Sequence, residues 1–199
     1  MPKIIDHDQR RREIVAVAKK LIIQGGFEAA TMRSIVAEAG FANGALKRYF
    51  PNKDSIVAAT FQSVLAEMNE RIDDSDPSLD PKEALRRDIE VTLPLDTYRI
   101  ASARVLLALW EHSVANEELA TLYREHLHEW RRRLAVRITE ARGKGEPCDA
   151  PAVTELAGEV IGMSIGANVT SLMFPDGALI PEHRAYVDRL MRNIADCTD

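Results

Sequence analysis

The sequence predicts an all-α protein of about nine helices, three short ones followed by six that are mostly longer. Three observations predict it. Apolar residues recur at the 3.6-residue spacing of a helix face through most of the 199 residues. Glycine and proline fall between those stretches, at Gly25-Gly26, Gly40, Pro51, Pro77, Pro94, Gly143 to Pro147 and Pro175 to Gly177. No stretch alternates with the period of two that marks a strand with hairpin signals. At 46% hydrophobic and 29% charged, the chain can bury a core without disulfide or metal staples.

The first helix is expected from about Asp8 to Gln24, with Ile14, Val15, Val17, Ala18, Leu21 and Ile22 on one face. Gly25-Gly26 ends it, because glycine takes the left-handed C′ conformation without a Cβ clash. Thr31 is an N-cap candidate for a short second helix that runs to Ala39, and Gly40 opens a turn. A third short helix is expected from about Asn43 to Phe50, ended by Pro51-Asn52. Asp54 and Ser55 begin a long fourth helix to about Arg71. The polar stretch Asp73 to Ser78 reads as a loop. A fifth helix follows Pro81 and ends near Leu93-Pro94. The sixth and seventh span about Asp96 to Val114 and Asn116 to Arg142. The eighth runs from about Ala150 to Met173, and the ninth starts after Pro181.

The stretch from Thr31 to Ile56 carries the functional signal. Met32, Ile35, Val36 and Ala39 give one short helix a core face, Gly40 makes the turn, and Leu46, Tyr49 and Phe50 anchor the next. Helix, glycine turn and second helix make a helix-turn-helix, whose second helix fits the ~12 Å major groove of DNA. Its outward positions are Ala42, Asn43, Ala45, Lys47 and Arg48. Small residues permit close approach, Asn can read adenine edges, and Lys and Arg can read guanine or bind phosphate. Thr31, Lys47, Tyr49 and Lys53 are the phosphate candidates, Thr31 and Lys53 because they lie at helix N-termini. Arg33 and Arg48 can reach bases or backbone. The competing structural roles are an N-cap for Thr31, a core contact for Tyr49 and a solvated charge for Lys53.

At this stretch the sequence resembles the TetR family of bacterial transcriptional regulators. Thr31, Ile35, Ala39, Gly40, Gly44, Leu46, Tyr49, Phe50 and Lys53 match the family pattern without a gap, as does the upstream Gly25-Gly26-Phe27. The resemblance covers about residues 10 to 57. Beyond it there is a weaker likeness to regulators with a choline-responsive, BetI-type C-terminal region. Four positions depart from the pattern. Phe41 replaces the usual Val and Val36 the usual Ala. Ala42 stands where Ser or Thr often caps the recognition helix, which leaves Asn43 as the candidate cap. Lys47 replaces a Tyr that often contacts phosphate.

The resemblance implies a DNA-binding domain over residues 1–53 and a larger helical effector-binding and dimerisation domain over 54–199. It implies a homodimer on a palindromic double-stranded operator, repression by default, and release by a small-molecule effector of unknown identity. Gly158, Gly162 and Gly166 recur every fourth residue in the eighth helix. Each glycine costs about 1 kcal/mol relative to alanine inside a helix, so three on one face suggest close approach of another helix or space for a ligand. The resemblance favours the helix, as part of the dimer interface. An effector pocket between the fourth and eighth helices would draw on Phe61, Leu65, Tyr98, Leu106, Trp110, Tyr123, Trp130, Met163 and Asn168. Aromatic and Met residues at helical spacing are also the usual content of a core.

Charge is divided unevenly. Residues 1 to 53 hold ten basic and five acidic residues, against 16 basic and 26 acidic in the remainder. A phosphate-facing module on an acidic body should look like this. The N-terminus carries charges where a secretory leader would be apolar, and no apolar run approaches the roughly 18 residues of a membrane span. Cys148 and Cys197 form no CxxC pair. A cytoplasmic setting fits these features. No nucleotide-binding glycine loop, GxSxG or HExxH occurs, and His112, His126 and His128 lack metal-ligand spacing, so no cofactor, metal or catalytic cluster is expected. An architectural DNA protein would need only the first 53 or so residues.

Overall fold

The computed structural model describes residues 7–40, 46–73, 78–143 and 152–195, and all of their regular structure is helical. The α-helices are α1 (His7–Gly25), α2 (Met32–Ala39), α3 (Lys53–Asp73), α4 (Pro81–Thr92), α5 (Thr97–Ser113), α6 (Glu117–Arg142), α7 (Val153–Ser171) and α8 (Ile180–Ala195). Two 3₁₀ turns, Phe27–Ala29 and Leu46–Arg48, complete the inventory. Eight α-helices and the second 3₁₀ turn thus stand where nine helices are expected. Of the expected third helix, only residues 46–50 are described. Ala42 and Asn43 lie outside the described residues.

Local chemistry sets the element boundaries. Gly26 and Gly40 take positive φ, 76° and 67°, and each donates its N–H back to the preceding helix, at Ile22 O and Val36 O. Thr31 caps α2 by accepting from Ser34 N at 3.0 Å, while the Ser34 hydroxyl accepts from Thr31 N at 2.9 Å. This is a reciprocal capping box with Ser in the place of the usual Glu or Gln. Asn52 and Ser55 repeat the device on α3, one position earlier than the sequence suggests. Asp80, Asp96 and Asn116 accept the first amides of α4, α5 and α6. The last helix begins at Ile180, so Pro181 lies inside its first turn, where its missing N–H costs nothing.

The chain divides into two compact units, Met1–Ala66 with Ala101–Leu122, and Glu67–Ile100 with Tyr123–Asp199. The first is built on Ile14, Ala18, Ile22, Ile35, Leu46, Phe50, Ile56 and Val105, all fully or almost fully buried. The second is built on Leu85, Ile89, Ile138, Ala157, Val160, Val187 and Ile194. Three polar side chains between α4 and α7 are paired inside the second core. Thr92 Oγ1 and Ser164 Oγ lie 2.9 Å apart, and Asn168 Nδ2 donates to Thr92 O and Ser164 O.

Candidate nucleic-acid interface and body cleft

In the first unit, α1 supplies a platform through Ile14, Ala18 and Ile22. Leu46 and Phe50, 2% and 0% exposed, plant residues 46–50 onto this platform. Phe50 N donates to Leu46 O at 2.9 Å. With both anchors buried, the intervening Lys47 and Arg48 stand exposed. Thr31 and Arg33 are also exposed, at the start of α2. Tyr49 is half-buried, its ring 5.8 Å from that of His7. Arg11 fastens this segment from α1: its Nη1 donates to Tyr49 O at 2.8 Å and its guanidinium lies 4.2 Å from the Phe50 ring centroid.

Lys53 has a different setting from Lys47 and Arg48. Its Nζ lies 3.3 Å from the Phe27 ring centroid and 3.8 Å from Glu28 Oε1. Burial lowers its pKa, against the opposing pull of Glu28. The cation therefore holds the Phe27–Ala29 turn to the start of α3.

Sequence reasoning missed how α5 enters this unit. Arg104 Nη1 donates to Ile23 O and Gln24 O at 2.8 and 3.1 Å, satisfying carbonyls that the end of α1 leaves without helical partners. The Phe27 and His112 rings are 3.5 Å apart, and Asn116 Nδ2 donates to Asp54 Oδ2 at 2.9 Å. The available signal was Arg104 itself, one arginine inside the apolar run from Ala103 to Trp110.

In the second unit, α7 turns Leu156, Ala157, Val160, Ile161, Ser164 and Ala167 inward. Gly158, Gly162 and Gly166 lie off that buried set, and a Cβ placed on any of them would meet nothing within 4 Å. Space for a ligand inside the chain does not explain them.

A cleft of about 260 Å³ opens in the same unit, lined by residues of α3, α4 and α6. Met68, Ile72 and Leu134 give it apolar walls, and Trp130 and His126 stack with centroids 5.7 Å apart. Burial first, and Arg133 second, push the His126 pKa down to about 4, so the imidazole is neutral at pH 7. Glu129 accepts from Arg132 and Arg133 at 2.7–2.9 Å, and these bonds bring its pKa down to about 2. Buried Asp88 accepts from Arg137 Nε at 2.9 Å.

Of the nine body residues singled out from sequence, Trp130 lines this cleft. Phe61, Leu65, Leu106 and Trp110 belong to the first unit, where Phe61 is a buried 2% exposed. In the second unit Tyr98 is exposed, Tyr123 lies 6.3 Å from His126 ring to ring, Met163 packs on the core and Asn168 bridges α4 and α7. No group of His, Cys, Asp and Glu suited to a metal occurs among the described residues. No described helix is long and apolar enough to cross a membrane.

A helical chain that presents two cations on a helix-turn-helix, ahead of a longer helical portion, has the architecture of a DNA-binding regulator. Residues 14–60 match the model of bacterial regulatory proteins of the tetR family, and residues 81–196 match that of the BetI-type transcriptional repressor C-terminal region. The chain belongs to the TetR family, with a C-terminal region of BetI type. It is 34% identical over 109 residues to the HTH-type transcriptional regulator PksA of Bacillus subtilis, covering 54% of this chain and 53% of that protein. It is 29% identical over 126 residues to the regulator BetI of Stenotrophomonas maltophilia, covering 62% and 64%. The chain thus spans between half and two thirds of the length of these relatives. A Haloarcula marismortui TetR transcription regulator superposes with a TM-score of 0.82 at 18% identity, covering 93% of this chain and 97% of that one. A transcriptional regulator from Saccharomonospora viridis, solved in complex with choline, gives 0.81 at 22%, covering 93% and 96%. These likenesses establish the fold.

Proposed function

We propose that this chain is a ligand-responsive transcriptional repressor that binds a palindromic operator as a homodimer in the cytoplasm and leaves it when a small molecule occupies the body. The observation that carries the reading is the exposure of Lys47 and Arg48 on a segment pinned by buried Leu46 and Phe50. That arrangement delivers two cations to a duplex without loosening the fold. Thr31 and Arg33 add donors at the start of α2. Lys53 contributes mainly by holding the Phe27 turn.

The dimer assignment rests on α7, whose glycine row is open to close approach by a second copy. The name of the choline-bound relative and the BetI-type match support an effector in the body. An effector releases DNA only by binding the DNA-incompetent conformation more tightly than the competent one. Moving a 99:1 population to 1:99 requires about 5.5 kcal/mol of such preference.

A gel-shift series on DNA flanking the chain's own gene tests the proposal. A regulator selects one palindrome over random DNA by roughly 10³ or more. Equal binding to all sequences would leave an architectural DNA protein as the better reading.

A further inference from the structure

The cleft of the second unit has a donor surplus that decides what charge it accepts. A guanidinium carries five N–H donors. Arg132 engages Glu129 through Nε and Nη2, Arg133 engages Glu129 through Nε and Asn69 through Nη1, and Arg137 engages Asp88 through Nε and Glu140 through Nη1. Those contacts leave Nη1 of Arg132 and Nη2 of Arg133 and Arg137 with donors to offer. Each carboxylate that lines the cleft is already held by a guanidinium. Three guanidiniums thus face two carboxylates across the lining, so an entering cation would meet a net positive charge, whereas an entering carboxylate would meet donors already in place.

The remaining surfaces point the same way. His126, kept neutral by its burial, adds no charge at pH 7 and lies flat on Trp130. Met68, Ile72 and Leu134 offer an apolar wall to a hydrocarbon body. Trp130 and His126 are the only rings in the lining, fewer than the several faces of an aromatic cage around a quaternary ammonium. A volume of about 260 Å³ is below the ~300–1,000 Å³ of sites for drug-sized ligands, so the occupant is small.

We propose that this cleft binds a small amphipathic anion, an apolar body bearing one carboxylate, and discriminates against quaternary ammonium ions. The proposal deepens the effector-binding reading of the body and rests on it for its regulatory meaning. The choline found in a relative of the same fold is then not the ligand chemistry of this chain.

Calorimetric titration of the full chain with phenylacetate, phenylacetamide and choline separates the alternatives. Phenylacetate should bind saturably, and its uncharged amide roughly tenfold or more weakly, since charge-assisted hydrogen bonds contribute about 1.5–3 kcal/mol. Choline should give no saturable heat. Arg133→Gln should weaken phenylacetate several-fold with the melting temperature unchanged, and Arg133→Lys should restore part of the loss. Arg132→Gln serves if Arg133→Gln does not fold. The proposal is overturned if choline binds as tightly as phenylacetate, if the amide equals the acid, if neither arginine variant affects binding, or if phenylacetate gives no saturable heat into the millimolar range. A parallel gel shift keeps the two readings apart. Operator selection without anion binding defeats only this proposal. Anion binding without operator selection defeats the regulator and leaves the cleft intact.

Discussion

Lys47 and Arg48 stand beside Leu46 in the chain, within one 3₁₀ turn, while the residues lining the body cleft are drawn from α3, α4 and α6 between Met68 and Arg137. The surface proposed to face DNA is local: exposed Lys47 and Arg48 lie between buried Leu46 and Phe50, and those two anchors fix the direction of the two cations. The cleft is nonlocal, and its charge balance depends on which guanidinium meets which carboxylate after folding. The contrast teaches that a surface made by neighbours in sequence tolerates much variation elsewhere, whereas a cleft made by distant residues can change its ligand through a single partner.

Removing an anchor should break the local surface most severely. Phe50→Ala empties a fully buried site and should cost about 3–5 kcal/mol, abolishing operator binding; if gel shifts and melts show neither loss, the anchoring account is wrong. Arg104→Met tests whether the local surface also needs α5. It strips two carbonyls at the end of α1 of their donor and should lower stability by about 1–3 kcal/mol in a denaturant titration. Lys47→Ala should leave stability unchanged and reduce the salt slope of binding by about one, for every DNA sequence alike. An unaltered slope would remove Lys47 from the phosphate contacts.

Two further experiments address the body. Gly162→Ala places a Cβ in open space, so the protomer should gain up to about 1 kcal/mol of helix stability while the proposed α7 dimer contact weakens. Sedimentation alongside thermal melts reads both signs, and a tighter dimer would contradict the packing assigned to α7. The smallest effect concerns pH. His126 has a folded pKa of about 4, below its ordinary 6.5, so the unfolded chain binds more protons between those values. Its stabilising contribution is complete above pH 6.5 and declines as pH falls toward 4. His126→Phe should flatten that part of the melting profile; an unchanged slope would show that the imidazole is not responsible.

Much of this was readable before folding. Gly26, Gly40 and Thr31 behave as their local chemistry dictates, because a left-handed turn or a side-chain cap involves residues at most four apart. That Gly158, Gly162 and Gly166 share one face of α7 followed from helical period alone; that this face lies off the buried set did not. Arg104 could not be assigned, since its role depends on carbonyls 80 and 81 positions upstream. Lys53 read as a phosphate candidate, with a solvated charge as the alternative, until Phe27 and Glu28 were placed beside it. The nine body residues singled out as pocket candidates illustrate the same limit. Helical spacing does not distinguish a core contact such as Phe61 from a cleft wall such as Trp130 or an exposed ring such as Tyr98.

By itself the sequence determined most of the helices, the Thr31 cap and the outward direction of Lys47 and Arg48, because those follow from interactions within one or two helical turns. Only the tertiary structure decided which arginines occupy the carboxylates of the body cleft and which carbonyls Arg104 completes. Those outcomes depend on through-space geometry between segments that chain order leaves unspecified.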